Sequence, residues 1–384
     1  MKVLSVVGAR PNFVKIAPIL RALRGAPAPV ESILVHTEQH YDDEMSAAFF
    51  TDLAISQPDY TLGVGSGSHA TQTAEIMKRF EPVIIDERPD IVVVVGDVNS
   101  TIACALTAAK LGIKVAHVEA GLRSFDRTMP EEINRLLTDA IADFLFTTEE
   151  SANENLRREG HPAAKIFFAG NVMIDSLLWC RGLAARSTIL ERLGLQEFTT
   201  GRGYALVTMH RPSNVDAADK LDALLGTLAT IAREIPVILP LHPRTRARIN
   251  EFGLTRHFHF LDSDQGAVRF IPGRITALNP VGYVDFFRLM SAARLVLTDS
   301  GGIQEETTCL GVPCLTLREN TERPITVTAG TNTVTGTDPA RILACAQQAL
   351  RNGAPTPKLP PLWDGHAGER IVNILREHLA RQCE

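Results

Sequence analysis

The chain has 384 residues, of which 45% are hydrophobic and 22% are charged, and its formal net charge is −5. These ordinary values favour a folded protein of two or three domains, and the acidic balance argues against a general nucleic-acid binder. The apolar run at the start is too short for a signal peptide, and no stretch approaches the roughly 20 apolar residues of a membrane span. We therefore expect a cytoplasmic protein without a membrane segment. The six cysteines form no CxxC pair and are expected to be buried free thiols.

Strand-like and helix-like patterns alternate along the first half of the chain. The unbroken β-branched run at residues 91–95 is typical of a strand buried on both faces, as in a parallel sheet. The alternation predicts a doubly wound α/β sheet. The predicted strands are 2–7, 32–37, 91–95, 114–118, 144–148 and 165–169, and the predicted helices are 13–23, 101–111, 131–142 and 149–158.

The alternation restarts after a polar break at residues 199–203. Strands are predicted at 204–209, 237–240, 275–278, 295–298 and 313–317, with helices at 217–234 and 284–293. We predict one Rossmann-like domain over 1–169 and a second over 170–365, with the last helix, 368–382, packing back on the first domain. Two facing domains of this kind would place the carboxyl ends of both sheets on one cleft, where such sheets bind ligands.

Acidic side chains follow the predicted strands. Asp97 comes after the run at 91–95, Glu119 follows the strand at 114–118, Glu131 begins a helix, and His210 ends a strand. Each has an ordinary explanation as a loop residue, a cap or a charge favoured by a helix N-terminus. As a set, the three carboxylates and the histidine are predicted to converge on one edge. Paired acids with separated pKa values are what removal and return of a proton require.

The segment LTDSGGIQEE predicts a site for a phosphate group. Ser300, Gly301 and Gly302 lie between a strand and a helix, where glycine lets backbone N–H groups approach an anion. Glu306, one turn into the helix, is placed to accept hydrogen bonds from ribose hydroxyls. A turn that uses glycine for its geometry alone and a solvated helix face are the ordinary alternatives.

Basic residues in two other segments are candidates for binding the same anion. Arg10 and Lys15 follow the first strand, and Arg323 lies near the end of the second domain. Either arginine can grip a diphosphate in a bidentate manner, and we assign Lys15 to substrate binding with them. His257 and His259 lack further ligands at metal spacing, so no metal site is predicted.

Seven blocks of sequence resemble, in order, the motifs of the non-hydrolysing UDP-N-acetylglucosamine 2-epimerases. The blocks are GARPNFVKIAP, VVGDVNST, HVEAGLRS, MPEEINR, VTMHR, TDSGGIQEE and ERPITVTAGT, and they extend from residue 8 to residue 331. The resemblance implies a GT-B-like fold, in which two Rossmann-like domains face each other across a cleft. It also implies a homodimer, a part in polysaccharide biosynthesis, and interconversion of UDP-GlcNAc and UDP-ManNAc without a metal or NAD.

The mechanism that the resemblance implies is elimination followed by readdition. A base takes the C2 proton while UDP leaves C1, and UDP then adds back to the 2-acetamidoglucal as a proton reaches the other face. Asp97, Glu119, Glu131 and His210 match the acid/base positions. The positions that match nucleotide contacts are Arg10, Ser300, Gly301, Gly302, Glu306 and Arg323, with His242 and Phe286 matching further substrate contacts.

Several alternatives stay open from the sequence. The block HRPSNVD departs from the HRRE of many bacterial members, which leaves room for a modified substrate such as a UDP-2,3-diacetamido uronic acid. A GT-B glycosyltransferase would share the nucleotide site, but it would need an acceptor pocket and would not need three carboxylates around C2. A hydrolysing 2-epimerase and a non-catalytic nucleotide-sugar sensor are the remaining alternatives, and the intact acid/base set argues against the sensor.

Overall fold

The computed structural model describes residues 1–27, 30–39, 50, 52–261, 267–353 and 358–380. The chain divides into two compact units, the first formed by Met1–Trp179 with Pro360–Glu384 and the second by Cys180–Leu359. Each unit contains a seven-stranded parallel sheet, which confirms the predicted α/β class. Within the described residues, no helix is long and apolar enough to cross a membrane.

The sheet of the first unit has the strand order β3-β2-β1-β4-β5-β6-β7. Its order reverses between β1 and β4, which is the topological switch point of a doubly wound sheet. The strands are β1 Lys2–Val7, β2 Glu31–His36, β3 Tyr60–Thr61, β4 Ile91–Val95, β5 Lys114–Val118, β6 Phe144–Thr147 and β7 Ile166–Phe168. The helices that begin in this part are α1 Arg10–Arg24, α2 His69–Glu87, α3 Asn99–Lys110, α4 Pro130–Ile141, α5 Glu150–Arg158 and α6 Val172–Ala184.

The sheet of the second unit has the order β10-β11-β9-β8-β12-β13-β14, with its switch point between β8 and β12. The strands are β8 Ala205–Thr208, β9 Val237–Pro240, β10 Phe258–Phe260, β11 Ile275–Leu278, β12 Leu295–Thr298, β13 Cys314–Thr316 and β14 Asn332–Val334. The helices are α7 Ile189–Arg192, α8 Gln196–Thr199, α9 Pro212–Val215, α10 Ala218–Ile231, α11 Pro243–Glu251, α12 Tyr283–Ala292, α13 Gly301–Leu310, α14 Ile325–Thr328 and α15 Pro339–Asn352.

Both sheets are buried on their two faces, and this explains the apolar runs in the sequence. All five residues of β4 are buried. Along β12, Leu295 and Leu297 belong to one apolar cluster of the second unit, whereas Val296 belongs to another. Successive side chains of a strand point to opposite faces, so each face of this sheet has its own core.

The last helix, α16 Ala367–Ala380, packs against α1 within the first unit. Its start is held by Asp175, whose carboxylate accepts the backbone N–H groups of Ala367 at 3.1 Å and Gly368 at 2.8 Å. A Cβ atom on Gly368 would lie 2.8 Å from the carbonyl carbon of Pro18 in α1. The two helices therefore approach closely at a residue without a side chain. Of the predicted helix 368–382, residues 381 and 382 lie outside the described part.

Candidate active site

Asp97 follows β4 at the carboxyl edge of the first sheet. The residue before it, Gly96, has a φ of 69°, and a Cβ there would lie 2.8 Å from the amine of Lys15, so glycine suits this turn. The carboxylate of Asp97 accepts a hydrogen bond from the guanidinium of Arg135. Its backbone carbonyl accepts a bond from the side-chain amide of Asn134 at 2.9 Å. Helix α4 thus fixes both the backbone and the side chain of Asp97.

Glu119 follows β5 at the same edge and has an unusual backbone. Its φ is 76°, in the left-handed region that favours glycine, and its backbone N–H donates to the carbonyl of Phe146 at 3.0 Å. A non-glycine residue in this region costs of order 1–3 kcal/mol, and such residues cluster at functional sites. The buried carboxylate forms an ion pair with the buried amine of Lys15. The structure therefore places Lys15, which the sequence assigned to substrate binding, against Glu119.

The adjacent glutamates at the start of α4 have different surroundings. Glu132 is buried and accepts the backbone N–H groups of Ser124 and Phe125, each at 3.0 Å. It also pairs with the guanidinium of Arg135 at 2.7 Å. Glu131 is partly exposed and has no side-chain hydrogen bond or ion pair with the described residues. Glu132 therefore holds the preceding loop, and the carboxylate of Glu131 remains available to a ligand.

The loop that Glu132 holds contains a second residue with an unusual backbone. Phe125 has a φ of 58°, and 75% of its surface is exposed. An aromatic residue that combines these two properties is uncommon, because the left-handed region is unfavourable for a bulky side chain.

His210 follows β8 in the second unit. It therefore belongs to a different sheet from the three carboxylates, and the prediction that all four share one edge is wrong, because β8 pairs with β9 and β12. The side chain of His210 is 44% exposed, and its Nδ1 lies 3.2 Å from the carboxylate of Asp299. The predicted second domain, 170–365, already contains His210, so the strand ends of two different sheets were treated as one edge.

Asp299 follows β12, and the sequence analysis did not single it out. This fully buried carboxylate accepts the backbone N–H groups of His210 at 3.0 Å and Arg211 at 2.9 Å, and the side-chain amide of Asn214 at 3.2 Å. Burial acts to raise the pKa of Asp299, but the hydrogen bond and charge of His210 and the backbone donors outweigh it, so the pKa is lowered. An ionised carboxylate beneath His210 orients the imidazole ring.

The SGG turn lies where the sequence placed it, at the start of the ten-residue helix α13. Ser300 is the N-cap residue, and Gly301 is the first residue of the helix. The first N–H groups of a helix have no partner within it and attract anions. A Cβ atom on Gly301 would lie 2.3 Å from the guanidinium of Arg323, so only glycine fits beside that side chain. Arg323 also pairs with Glu305 at 3.0 Å and with Glu322 at 2.5 Å.

Glu306 is buried in α13. The hydroxyl of Tyr283 donates a hydrogen bond to its carboxylate at 2.8 Å. Burial raises the pKa of Glu306 to about 7, although the bond from Tyr283 acts in the opposite direction. The structure therefore places a buried carboxyl group with a raised pKa at the position where the sequence predicted a ribose contact.

The other predicted contacts are distributed over separate elements. His242 caps α11 by accepting the backbone N–H of Arg244 at 3.2 Å, and its ring centroid lies 5.7 Å from that of His210. Phe286 lies on α12, partly buried against one apolar cluster of the second unit. Arg10 is the first residue of α1, and its side chain lies outside the described part of the structure. Over the described ranges, no group of three or more His, Cys, Asp or Glu is arranged to hold a metal ion.

Comparison with known proteins connects this geometry with a family. A sequence profile of UDP-N-acetylglucosamine 2-epimerases matches residues 21–376. The chain is 41% identical over 372 residues to the UDP-N-acetylglucosamine 2-epimerase of Methanococcus maripaludis, covering 96% of this chain and 97% of the relative. It is also 41% identical over 353 residues to the UDP-2,3-diacetamido-2,3-dideoxy-D-glucuronate 2-epimerase of Pseudomonas aeruginosa, covering 91% and 92%.

A solved structure agrees over the same length. The crystal structure of the Methanocaldococcus jannaschii UDP-GlcNAc 2-epimerase in complex with UDP-GlcNAc and UDP superposes with a TM-score of 0.86 at 40% identity. The alignment covers 98% of this chain and 100% of that one. These matches confirm the resemblance carried by the seven sequence blocks and the GT-B-like fold. The chain belongs to the UDP-N-acetylglucosamine 2-epimerase family.

Proposed function

We propose that the protein interconverts UDP-GlcNAc and UDP-ManNAc as a non-hydrolysing 2-epimerase. The observation that carries the proposal is the group of acids at one edge of the first sheet. Asp97 and Glu119 follow neighbouring strands, and Glu131 begins the helix that also fixes Asp97. Removal and return of a proton at C2 requires more than one acid/base group, and this edge supplies three. The family membership and the relatives' names support the same activity.

In the proposed reaction one proton leaves C2 and one is returned to it, and UDP leaves C1 and adds back to it. One carboxylate takes the C2 proton as the C1–O bond breaks, and UDP leaves with the bonding electrons to give a 2-acetamidoglucal. UDP then adds back to C1, and a second group delivers a proton to the opposite face of C2. Asp97, Glu119, Glu131 and His210 are the proposed acid/base groups. Lys15 supplies a positive charge against Glu119 throughout.

The proposed nucleotide site lies in the second unit. Ser300, Gly301 and Gly302 present the amide groups at the start of α13 to the diphosphate, and Arg323 lies beside Gly301. Glu306 would accept hydrogen bonds from the ribose, and Phe286 would contact the base. His242, Lys15 and Arg10 complete the proposed set of substrate contacts. On this proposal the N-terminal Rossmann-like domain (1–169, with the helix at 368–382) handles the sugar and the C-terminal one (170–365) binds UDP.

Proton NMR in D₂O tests the proposed reaction. The protein incubated with UDP-GlcNAc should form UDP-ManNAc that carries deuterium at C2, because inversion there replaces the original proton by one from solvent. Free ManNAc as the main product would instead mean hydrolysis. Transfer of the sugar to an added acceptor, without exchange at C2, would mean a glycosyltransferase.

A UDP-2,3-diacetamido uronic acid is the second candidate substrate. The 41% identity to the Pseudomonas aeruginosa epimerase of such a sugar favours it, as does the HRPSN block. In the structure Pro212 begins α9, and the side chain of Asn214 bonds Asp299 and the carbonyl of Leu317. The block that departs from HRRE therefore contains Asn214, which bonds the carboxylate that contacts His210. Exchange at C2 with the diacetamido compound but not with UDP-GlcNAc would establish this substrate and retain the mechanism.

We further propose a metal-independent cytoplasmic homodimer that acts in polysaccharide biosynthesis, with no nucleic-acid or membrane partner. Helix α4 supports the dimer, because Ile133 and Leu137, one turn apart, are 42% and 52% exposed. Isothermal titration of UDP with a chelator present tests metal independence, since the α13 N-terminus and Arg323 offer positive potential to the diphosphate. Binding that disappears with the chelator and returns with Mg²⁺ would contradict it.

A further inference from the structure

His117 is a fully buried residue of β5, two positions before Glu119, and both of its ring nitrogens have partners. Nδ1 lies 2.6 Å from a carboxylate oxygen of Asp139, and Nε2 lies 2.9 Å from the backbone carbonyl of Gly96. A carbonyl oxygen only accepts hydrogen bonds, and so does an ionised carboxylate. The Nε2–H of His117 therefore donates to the carbonyl of Gly96, and Nδ1 faces the carboxylate of Asp139, so that the ring bridges these two groups.

Asp139 is ionised in this arrangement. Its second oxygen accepts the backbone N–H of Gly121 at 3.0 Å and the guanidinium of Arg123 at 2.6 Å, and Arg123 pairs in turn with Glu159 at 2.6 Å. Burial acts to raise the pKa of Asp139, but the charges and hydrogen bonds of His117 and Arg123 outweigh it, so the pKa is lowered. The buried carboxylate of Asp139 therefore has two donors on its second oxygen and the ring of His117 against its first.

The Nε2 side of the His117 ring holds the turn that precedes Asp97. The N–H of Gly96 donates to the carbonyl of Val118 at 3.1 Å, and its carbonyl accepts the bond from His117. Two successive residues of β5, His117 and Val118, therefore hold the carbonyl and the N–H of Gly96. The amine of Lys15 lies against the opposite side of Gly96 and pairs with Glu119.

The three elements that bear the proposed acids meet at this one ring. Gly96 leads into Asp97, and His117 lies on the strand that ends before Glu119. Asp139 lies on α4, which begins at Pro130 and has Glu131 in its first turn. We propose that His117 is a positioning residue, whose ring joins Gly96 to Asp139 and so sets the spacing of Asp97, Glu119 and Glu131. This inference rests on the proposed function, and it adds to that proposal a residue that does not touch the sugar.

The physical reason for an effect on rate is distance. Proton transfer requires each acid within hydrogen-bond reach of C2, and a misplacement of about 1 Å costs on the order of 10²-fold in rate. The affinity for UDP should change little, because the proposed nucleotide contacts, apart from Arg10 on α1, lie in the second unit, and neither hydrogen bond of His117 goes to α1. The expected signature is a fall in kcat with little change in KM or in the affinity for UDP.

Two amide substitutions separate the two hydrogen bonds of His117. The amide of His117→Gln reaches as far as Nε2 and can donate to Gly96, whereas that of His117→Asn reaches only as far as Nδ1 and Asp139. We expect His117→Asn to lower kcat about 10²-fold. His117→Gln should recover about tenfold of that loss, the worth of one hydrogen bond of about 1.4 kcal/mol. Both variants should keep KM and the Kd for UDP within about threefold, as judged by steady-state kinetics and titration.

Glu159→Gln is the matched control. It weakens the same buried network through Arg123 but leaves both bonds of His117 intact. All three variants should lower Tm, while only the two His117 variants should lower kcat. Equal kcat for Asn and Gln, or a loss in Glu159→Gln that follows Tm in the same way, would reduce His117 to a structural residue and overturn the proposal.

A measurement on the unmodified protein covers the case in which the variants do not fold. Selective ¹⁵N labelling of histidine should show a proton on Nε2 of His117 that exchanges slowly with solvent, because it is buried and donated to the carbonyl of Gly96, and an Nε2 without a proton would overturn the proposal. Failure of the proposed function has a different signature, in which the unmodified protein binds UDP but exchanges no deuterium at C2 of either candidate substrate.

Discussion

The three proposed acids of the first unit differ in their immediate neighbours. Asp97 is bonded to Arg135 and Glu119 to Lys15, so each of these carboxylates lies against a fixed positive charge. Glu131 has no such partner among the described residues. A proton can therefore reach Glu131 without breaking an ion pair, which suits it to exchange with solvent and with the sugar.

The pair Glu131 and Glu132 gives an internal comparison at adjacent positions. Glu131→Gln should lower kcat about 10²–10⁴-fold, the usual contribution of a positioned acid or base, and should leave Tm nearly unchanged. Glu132→Gln should lower stability by about 1–3 kcal/mol, because it weakens a buried pair with Arg135. Steady-state rates and urea unfolding of both variants check this. The same loss of rate with the same loss of stability in both would contradict the division of roles.

Glu306 predicts a pH-dependent stability. Its pKa rises from 4.5 to about 7 on folding, so the stabilisation is complete below pH about 4.5 and is lost as the pH rises through 7. Glu306→Gln remains neutral at every pH and keeps an acceptor for Tyr283. The variant should match the unmodified protein at pH 5 and exceed its stability by about 1–3 kcal/mol at pH 8. Urea titrations at both pH values measure the difference.

The control for that experiment is the neighbouring Glu305. It pairs with Arg323, so Glu305→Gln should be destabilising at pH 5 and at pH 8 alike. A Glu306→Gln variant that is less stable than the unmodified protein at pH 8 would show that the carboxylate is stabilised by contacts stronger than its burial penalty.

The sequence located the acids but not the groups that hold them. Asp97 and Glu119 were found because they follow apolar strands, and the same argument applies to Asp299, which the SGG pattern beside it obscured. The partners Lys15 and Arg135 could not be assigned, because each lies far along the chain from the carboxylate that it contacts. Only the paired strands and the packing of α4 bring those charges together.

Among the elements, the pairing of α16 with α1 depends on one glycine. Gly368→Ala would set a Cβ atom 2.8 Å from the backbone of Pro18, so the helices must separate, and we expect a loss of about 1–3 kcal/mol. The matched change is Gly226→Ala in α10, where a Cβ meets nothing within 4 Å. That variant should gain about 0.5–1 kcal/mol from its restricted unfolded state. Thermal unfolding of the two variants should shift in opposite directions.

The long, strongly periodic elements were predictable, and several others were not. The predicted helix at 131–142 corresponds to α4, and the buried run at 91–95 is β4. The 19-residue helix α2 was missed, because the glycine-rich segment before it and Pro82 within it weakened the helical pattern. The strands β10 and β14 were also missed, because their sequences FHF and NTV include polar residues and form no unbroken apolar run, and the parallel partners beside them define them as strands.

For the whole molecule, the prediction of two parallel α/β sheets followed from the repeated alternation of apolar runs and helices. The strand order did not, since it depends on which buried strands pair, and their sequences are similarly apolar. The alternation places His210 in the second predicted domain, and the error was to assign the strand ends of two separate sheets to one edge.

The apolar stripe on α4 predicts the state of association. Ile133→Asp with Leu137→Asp should convert a dimer to a monomer, because charges would replace the exposed apolar pair. Light scattering coupled to size exclusion measures the mass. The control is Ile85→Asp, an exposed apolar residue on α2, which should leave the mass unchanged. A monomeric unmodified protein, or a dimer unaffected by the α4 changes, would remove this surface as the interface.

Phe125, in the loop before α4, should respond differently to two kinds of selection in laboratory evolution. Phe125 has a left-handed backbone and exposes 75% of its surface, so it contributes little to the thermal stability of the protein. A library sorted only for heat resistance should replace it with Asn or Gly, gaining about 1 kcal/mol. Sorting the same library by epimerase turnover should retain the aromatic ring, since strained backbone persists where a task requires it. The two sorted populations, sequenced at this codon, should diverge.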